Sequence, residues 1–205
     1  MSRDKREKEE EIFQYVSRKA VEKERKKKEK SLGRELLSLL LYFVFVIAIS
    51  YGIVTFIGQR TQVSGNSMNP TLQHKDNLLI DKISYRFNDP KRFDIIVFEY
   101  LEEPGTHYVK RIIGLPGETI QIKDSLIYVN GEVLEEHFGA EAMLMEGIAK
   151  DEITLGEDEY FVLGDNRNHS KDSRDELVGA VKKDQIIGKV WIRIWPLSSF
   201  GKVDS

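Results

Sequence analysis

The pattern of hydrophobic and polar positions changes character twice along the chain. Residues 1–35 alternate Lys and Arg with Glu and hold few apolar side chains, which predicts a solvated, partly helical tail that frays. From Leu36 to Gln59 come 24 residues without a charge, including Leu39-Leu40-Leu41-Tyr42-Phe43-Val44-Phe45-Val46-Ile47. As a helix this run spans about 36 Å, enough for a hydrocarbon core of about 30 Å. A buried core helix would show a polar face, and only Ser38, Ser50 and Thr55 are available for one. A cleaved signal peptide would carry a shorter apolar region nearer the start, and Gly58-Gln59-Arg60-Thr61 offers no cleavage site. The run reads as a retained transmembrane anchor.

Beyond the anchor the period becomes two. Phe93 to Phe98, Thr119 to Ile122, Leu126 to Val129 and Phe161 to Leu163 are short runs rich in β-branched and aromatic residues. Asn130-Gly131 separates two such runs and predicts a hairpin, because both residues tolerate positive φ. Gly114-Leu115-Pro116-Gly117 marks another turn, and Lys189 to Trp195 predicts a late strand. Residues 135–157 are acidic and irregular and read as a surface excursion. The expected organisation is a charged cytoplasmic tail (1–35), an anchor (36–59), and one extracytoplasmic domain (60–205). That domain is mainly β, an antiparallel-sheet unit preceded by one N-terminal transmembrane helix.

Charge supplies the orientation. The net charge of −3 divides into +4 for residues 1–35, with 13 Lys/Arg against 9 Asp/Glu, and −7 for the remainder. The basic cluster from Lys23 to Arg34 abuts the anchor, so the positive-inside rule puts the N-terminus in the cytoplasm and the domain outside the plasma membrane. A basic tail also suits nucleic acid, but interspersed glutamates and the lack of any binding motif argue against it. The chain has no cysteine, which excludes disulfides, thiolate nucleophiles and cysteine-ligated zinc.

The candidate chemistry lies in three places. Ser67 sits in Gly65-Asn66-Ser67-Met68-Asn69-Pro70, a composition that makes a tight turn with an exposed hydroxyl. A serine hydroxyl needs an adjacent base. His74, His107, His137 and His169 are the default candidates, but none stands in a triad signature. Lys110, on the alternating run His107 to Ile113, shares a face with Tyr108 and Ile112. Burial there would lower its pKa and leave a neutral amine able to take a proton; the competing reading is a strand-edge lysine that reaches water. The third place is Gly164-Asp165-Asn166-Arg167-Asn168-His169-Ser170-Lys171-Asp172-Ser173-Arg174. Asp172 and Arg174 could pair there, and Ser170 could orient the lysine amine. Asp165, Asn166 and Asp172 are also oxygen donors, but Arg167 falls where a calcium loop needs a ligand. Asn168-His169-Ser170 is a chance-level glycosylation sequon, and the Ser-x-x-Lys matches at Ser2/Lys5 and Ser199/Lys202 lie where no catalytic site can be built.

In order and wording these segments resemble the bacterial type I signal peptidases, Ser/Lys enzymes that remove signal peptides from exported proteins. The resemblance runs from the anchor through Ser67-Met68, Asp94, Lys110-Arg111 and Gly164 to Arg174, then Ile187-Gly188-Lys189-Val190 and Trp195-Pro196. It looks like the Gram-positive form. It implies Ser67 as nucleophile and Lys110 as general base, with Ser170 and Asp172 supporting the lysine and Asp165 and Arg174 as braces. It also implies that the Ser67 N–H serves the oxyanion hole, and that Met68, Phe93, Asp94 and Ile95 border the substrate cleft. Some relatives have a serine two positions before the nucleophile as a second oxyanion donor; here that position is Gly65. Many have Gly where this chain has Phe93, and endoplasmic-reticulum relatives use His where it has Lys110. The implied substrates are membrane-inserted preproteins cut after small residues at the third and first positions before the cleavage point. Apolar residues around Met68 would dip into the membrane surface. No metal or cofactor is implied, and the partners are the preprotein, the lipid membrane and the export machinery beside which such enzymes work. Two other readings remain: a repressor-type self-cleaving Ser/Lys protease, which would need a DNA-binding helix-turn-helix, and a membrane-anchored β-domain that binds partners without catalysis.

Overall fold

A computed structural model describes residues 3–52, 58–139 and 141–203 in two compact units, Met1–Gly52 and Ile53–Ser205. The first unit is one helix, α1 (Arg3–Gly52). Its last part, Arg34–Gly52, has a mean hydropathy of 2.0 over 19 residues, long and apolar enough to cross a membrane. Its large apolar side chains, from Leu36 to Tyr51, are exposed. The described helix runs to Gly52, residues 53–57 of the expected anchor lie outside the described residues, and its last two residues, Gly58 and Gln59, open a strand instead. They are drawn there by pairing with Asp81 and Ile80.

The second unit is antiparallel β, as the alternating pattern predicts. Its strands are β1 (Gly58–Gln62), β2 (Asn77–Asp81), β3 (Ile95–Glu99), β4 (His107–Gly114), β5 (Thr119–Lys123), β6 (Leu126–Val129) and β7 (Glu132–Val133). Then follow β8 (Ile153–Thr154), β9 (Glu159–Leu163), β10 (Val181–Lys182), β11 (Ile186–Trp195) and β12 (Gly201–Lys202), and one short helix, α2 (Ser84–Phe87), follows β2. The larger sheet runs β1-β2-β11-β3-β4-β9-β10 with β12 on β11, and the smaller runs β7-β6-β5-β8.

Strand β3 shows why the large sheet is buried on both faces. Ile95 and Val97 enter a cluster with Met68, Leu72, Leu78 and Ile80, while Ile96 and Phe98 enter another with Ile112, Tyr160 and Val162. This is the period of two expressed as two cores. A third cluster joins Ile120, Ile122 and Ile127 of the small sheet to Ile113 and Phe161 of the large one. The Asn130-Gly131 turn links β6 to β7 with φ of 53° and 82°.

Residues 135–157 correct the expectation of a surface excursion. Their carboxylates mostly face solvent, but Met143, Ala149 and Leu155 are buried in the third cluster and cover the small sheet. A Glu136–Arg167 ion pair at 2.7 Å fastens the segment to the polar loop.

Candidate active site

Ser67 sits in a turn whose flanks are held in the core. Met68 and Leu72 are buried side by side, and the Leu72 N–H donates to the Met68 carbonyl at 2.9 Å. The Asn69 N–H donates to the Asn66 carbonyl at 3.1 Å, closing the turn. Gly65 enters it at φ +96°, a left-handed conformation that glycine adopts without strain. Its N–H donates to His74 Nδ1 at 3.2 Å. That contact occupies one of the four histidines.

Lys110 projects from β4 with 3% of its surface exposed. Its Nζ donates to Ser67 Oγ at 2.8 Å and to the Val109 carbonyl at 3.0 Å. Burial lowers its pKa to about 8, against the opposing pull of the Asp172 and Asp165 carboxylates. A base close to neutrality thus lies within proton-transfer distance of a serine hydroxyl. The alternative of a lysine reaching water from the strand edge is excluded by its burial.

The loop from Gly164 to Arg174 supplies the brace. Asp165 accepts from Arg111 Nε and Nη2 at 2.9 and 2.8 Å, with both side chains fully buried, and from Thr71 Oγ1 at 2.6 Å. Arg174 grips Asp172 with Nε at 2.8 Å and Nη2 at 2.9 Å. The Gly164 N–H donates to the same Asp172 carboxylate at 3.0 Å. The loop joins the Ser67 turn directly: the Asn166 N–H donates to the Ser67 carbonyl at 3.0 Å, and Asn166 Nδ2 to the Asn66 carbonyl at 3.1 Å. Gly164 permits this approach, because a Cβ there would lie 2.5 Å from the Ser67 carbonyl oxygen and closer still to Ser170 Oγ.

Four residues stand apart from the roles that the resemblance implies. Ser170 Oγ is buried without a hydrogen-bond partner, and the two bonds made by the Lys110 amine go to Ser67 and Val109. It therefore does not orient the amine in this structure. Phe93, Asp94 and Ile95 do not line the cleft. Phe93 packs on Phe138 with ring centroids 5.1 Å apart, at a φ of +71° that explains why glycine suits the position. Asp94 is buried among Tyr85 Oη at 2.8 Å, the Lys91 N–H at 3.0 Å and the Lys189 ammonium. Ile95 belongs to the core cluster around Met68. Met68 does border the cleft, but its own side chain is 1% exposed and buried in the core.

The cleft itself, about 280 Å³, runs between residues 61–68 and residues 107–110, with His169 and Lys171 at its border. Sequence reading missed Thr71 and Arg111 as anchors of Asp165, and missed Tyr100 and Lys171 beside the dyad. The signal for Arg111 was present: a second cation next to Lys110 on an apolar strand needs a buried anion. Among the described residues no cluster of three or more His, Asp or Glu could hold a metal. Asp165 and Asp172, considered above as oxygen donors, spend their carboxylates on arginines.

Comparison with known proteins identifies the family. The family described as signal peptidase, peptidase S26, matches residues 36–195. A probable signal peptidase I-2 of Synechocystis is 38% identical over 181 residues, 86% of this chain and 81% of the relative. Signal peptidase I of Bacillus caldolyticus is 40% identical over 156 residues, 71% and 84% of the respective chains. A crystal structure of a signal peptidase I from Enterococcus faecalis matches with 35% identity and a TM-score of 0.43, covering 50% of this chain and 97% of that one.

Proposed function

This chain belongs to the signal peptidase family S26 and is a serine endopeptidase that removes signal peptides from preproteins; we propose that Ser67 is its nucleophile and Lys110 its general base. The observation that carries the assignment is the 2.8 Å contact between Lys110 Nζ and Ser67 Oγ, made by a lysine whose pKa is lowered to about 8.

The reaction follows from that geometry. Neutral Lys110 takes the Ser67 hydroxyl proton as Oγ attacks the scissile carbonyl. The tetrahedral oxyanion is met by the Ser67 N–H, since donors aimed at developing charge stabilise such transition states. The Lys110 ammonium returns the proton to the leaving amine, and the acyl-enzyme remains as an ester on Oγ. Water then attacks that ester, with Lys110 again accepting a proton and Ser67 Oγ leaving with one. The Arg111–Asp165 and Arg174–Asp172 pairs keep the base and the nucleophile turn in register. The residues accepted before the cut are small at the third and first positions. With Gly65 two positions before Ser67, a second oxyanion donor either comes from another group or is missing.

The helix Arg34–Gly52 supports membrane anchoring, and the basic residues before it favour a cytoplasmic N-terminus with residues 60–205 outside. Anchoring confines enzyme and signal peptide to one thin layer, which supplies part of the encounter beside the export machinery. The test is cleavage of a preprotein by the full-length chain in detergent, alongside Ser67→Ala and Lys110→Ala. Product ending after a small residue from the wild type alone supports the dyad. Activity surviving in Lys110→Ala moves the base elsewhere, with His107 the next suspect. A folded wild type without activity favours the anchored binding domain.

A further inference from the structure

Lys171 borders the cleft that holds Ser67 and Lys110, and the proposed mechanism does not use it. Its Nζ donates to the Tyr100 hydroxyl at 2.7 Å. The Tyr100 ring stacks on Tyr108 at 4.7 Å and 11°, and the Tyr108 ring lies 5.1 Å from Lys110 Nζ. Two stacked rings therefore separate the two ammonium groups and fix where the second one stands.

Its distance from the reacting centre is bounded by the chain. Lys171 follows Ser170, whose Oγ lies across Gly164 from the Ser67 carbonyl oxygen. An extended substrate advances about 3.3–3.6 Å per residue, so an ammonium on the side chain after Ser170 is within about five residues of the scissile bond.

The cleft lacks the carboxylates that make the domain around it acidic. None of the described residues lining it is an aspartate or glutamate, while His107, His169, Lys110 and Lys171 all do so. Residues 36–205 together carry −7. Asp175 is the carboxylate whose field reaches Lys171, and it does not line the cleft. The hydrogen bond to Tyr100 raises the Lys171 pKa, so the charge is present throughout the working range.

We propose that Lys171 is a specificity-determining residue that favours substrates carrying an aspartate or glutamate within about five residues of the scissile bond, and disfavours lysine or arginine there. The inference rests on the reading of Ser67 as nucleophile. It adds a charge criterion to the small residues that define the cut.

The test uses the full-length chain in detergent and peptides identical but for Glu, Gln or Lys at each of these positions in turn. At one position the wild type should favour Glu over Lys in kcat/KM by about fivefold, a preference that shrinks as salt rises. The ratio should fall towards one in Lys171→Gln and invert in Lys171→Glu. Each ratio is taken within a single enzyme, so a general loss of activity cancels. For a variant too slow to assay, binding of the same peptides in the Ser67→Ala background, with and without Lys171→Gln, gives the ratio. A wild-type ratio of one at every position, or a ratio untouched by charge reversal at Lys171, overturns the proposal. Cleavage persisting in Ser67→Ala would instead remove the nucleophile assignment.

Discussion

The backbone N–H of Asn166 donates to the carbonyl oxygen of Ser67 at 3.0 Å. This bond joins the Ser67 turn to the polar loop that also places Asp165 and Asp172 near Lys110. Glycine at 164 makes the approach possible, because its missing Cβ would collide with both segments. The geometry of the proposed dyad thus depends on backbone contact as much as on the two side chains.

Gly164→Ala should therefore reduce turnover far more than it reduces stability. The added methyl sits 2.5 Å from the Ser67 carbonyl oxygen, so the turn must move by a large fraction of an ångström. A displacement near 1 Å costs about 100-fold in rate. Single-turnover cleavage beside thermal unfolding measures the two effects separately. Adding Ser170→Gly relieves only one of the collisions and should restore little.

Asp165→Ala should destabilise the domain by about 3–5 kcal/mol, since it leaves the fully buried Arg111 without its carboxylate. Urea unfolding gives the value directly. The double variant Arg111→Met with Asp165→Ala should recover part of the loss, because the stranded charge is then gone.

Lys110 carries a stability cost that its proposed role as base requires. Lowering its pKa from 10.5 to about 8 corresponds to about 3 kcal/mol. Below pH 8 the amine is charged in both states, and the folded state bears that cost in full. From pH 8 to 10.5 the unfolded chain binds the extra proton, so stability of the wild type rises with pH. Lys110→Met should be the more stable protein at pH 7, with its advantage shrinking as pH approaches 10. Denaturant melts at several pH values read this directly.

Phe93→Gly removes a strained φ of +71°, worth about 1–2 kcal/mol, but also removes the ring that packs on Phe138. The larger packing term should leave the variant about 1 kcal/mol less stable. Cleavage-site choice should be unchanged, because Phe93 lies outside the cleft. Thermal unfolding and product sequencing on one preparation test both halves.

Local pattern explains what was legible. The apolar run of the anchor, the β3 alternation and the Asn130-Gly131 hairpin are written in neighbouring residues. The proposed dyad could be read only because several motifs occur in order; neither Ser67 nor Lys110 is distinctive alone. The misplacements of Phe93, Asp94 and Ile95 arise from pairing far along the chain. Register among β3, β4 and β11 turns Asp94 towards Tyr85 and Lys189, and no local signal encodes that direction. Strand β1, the polar Gly-Gln-Arg-Thr-Gln, exists because β2 offers it an edge. Segment 135–157 reads as surface because Met143, Ala149 and Leu155 are scattered among carboxylates.

The most direct measurement of the central claim is the pH dependence of kcat/KM for a preprotein from pH 5 to 10. Proton abstraction by neutral Lys110 predicts a rise that levels off above about pH 8, retained in His107→Ala and His169→Ala. A profile whose break moves or vanishes when one of those histidines is replaced, or that persists unchanged in Lys110→Ala, would contradict it.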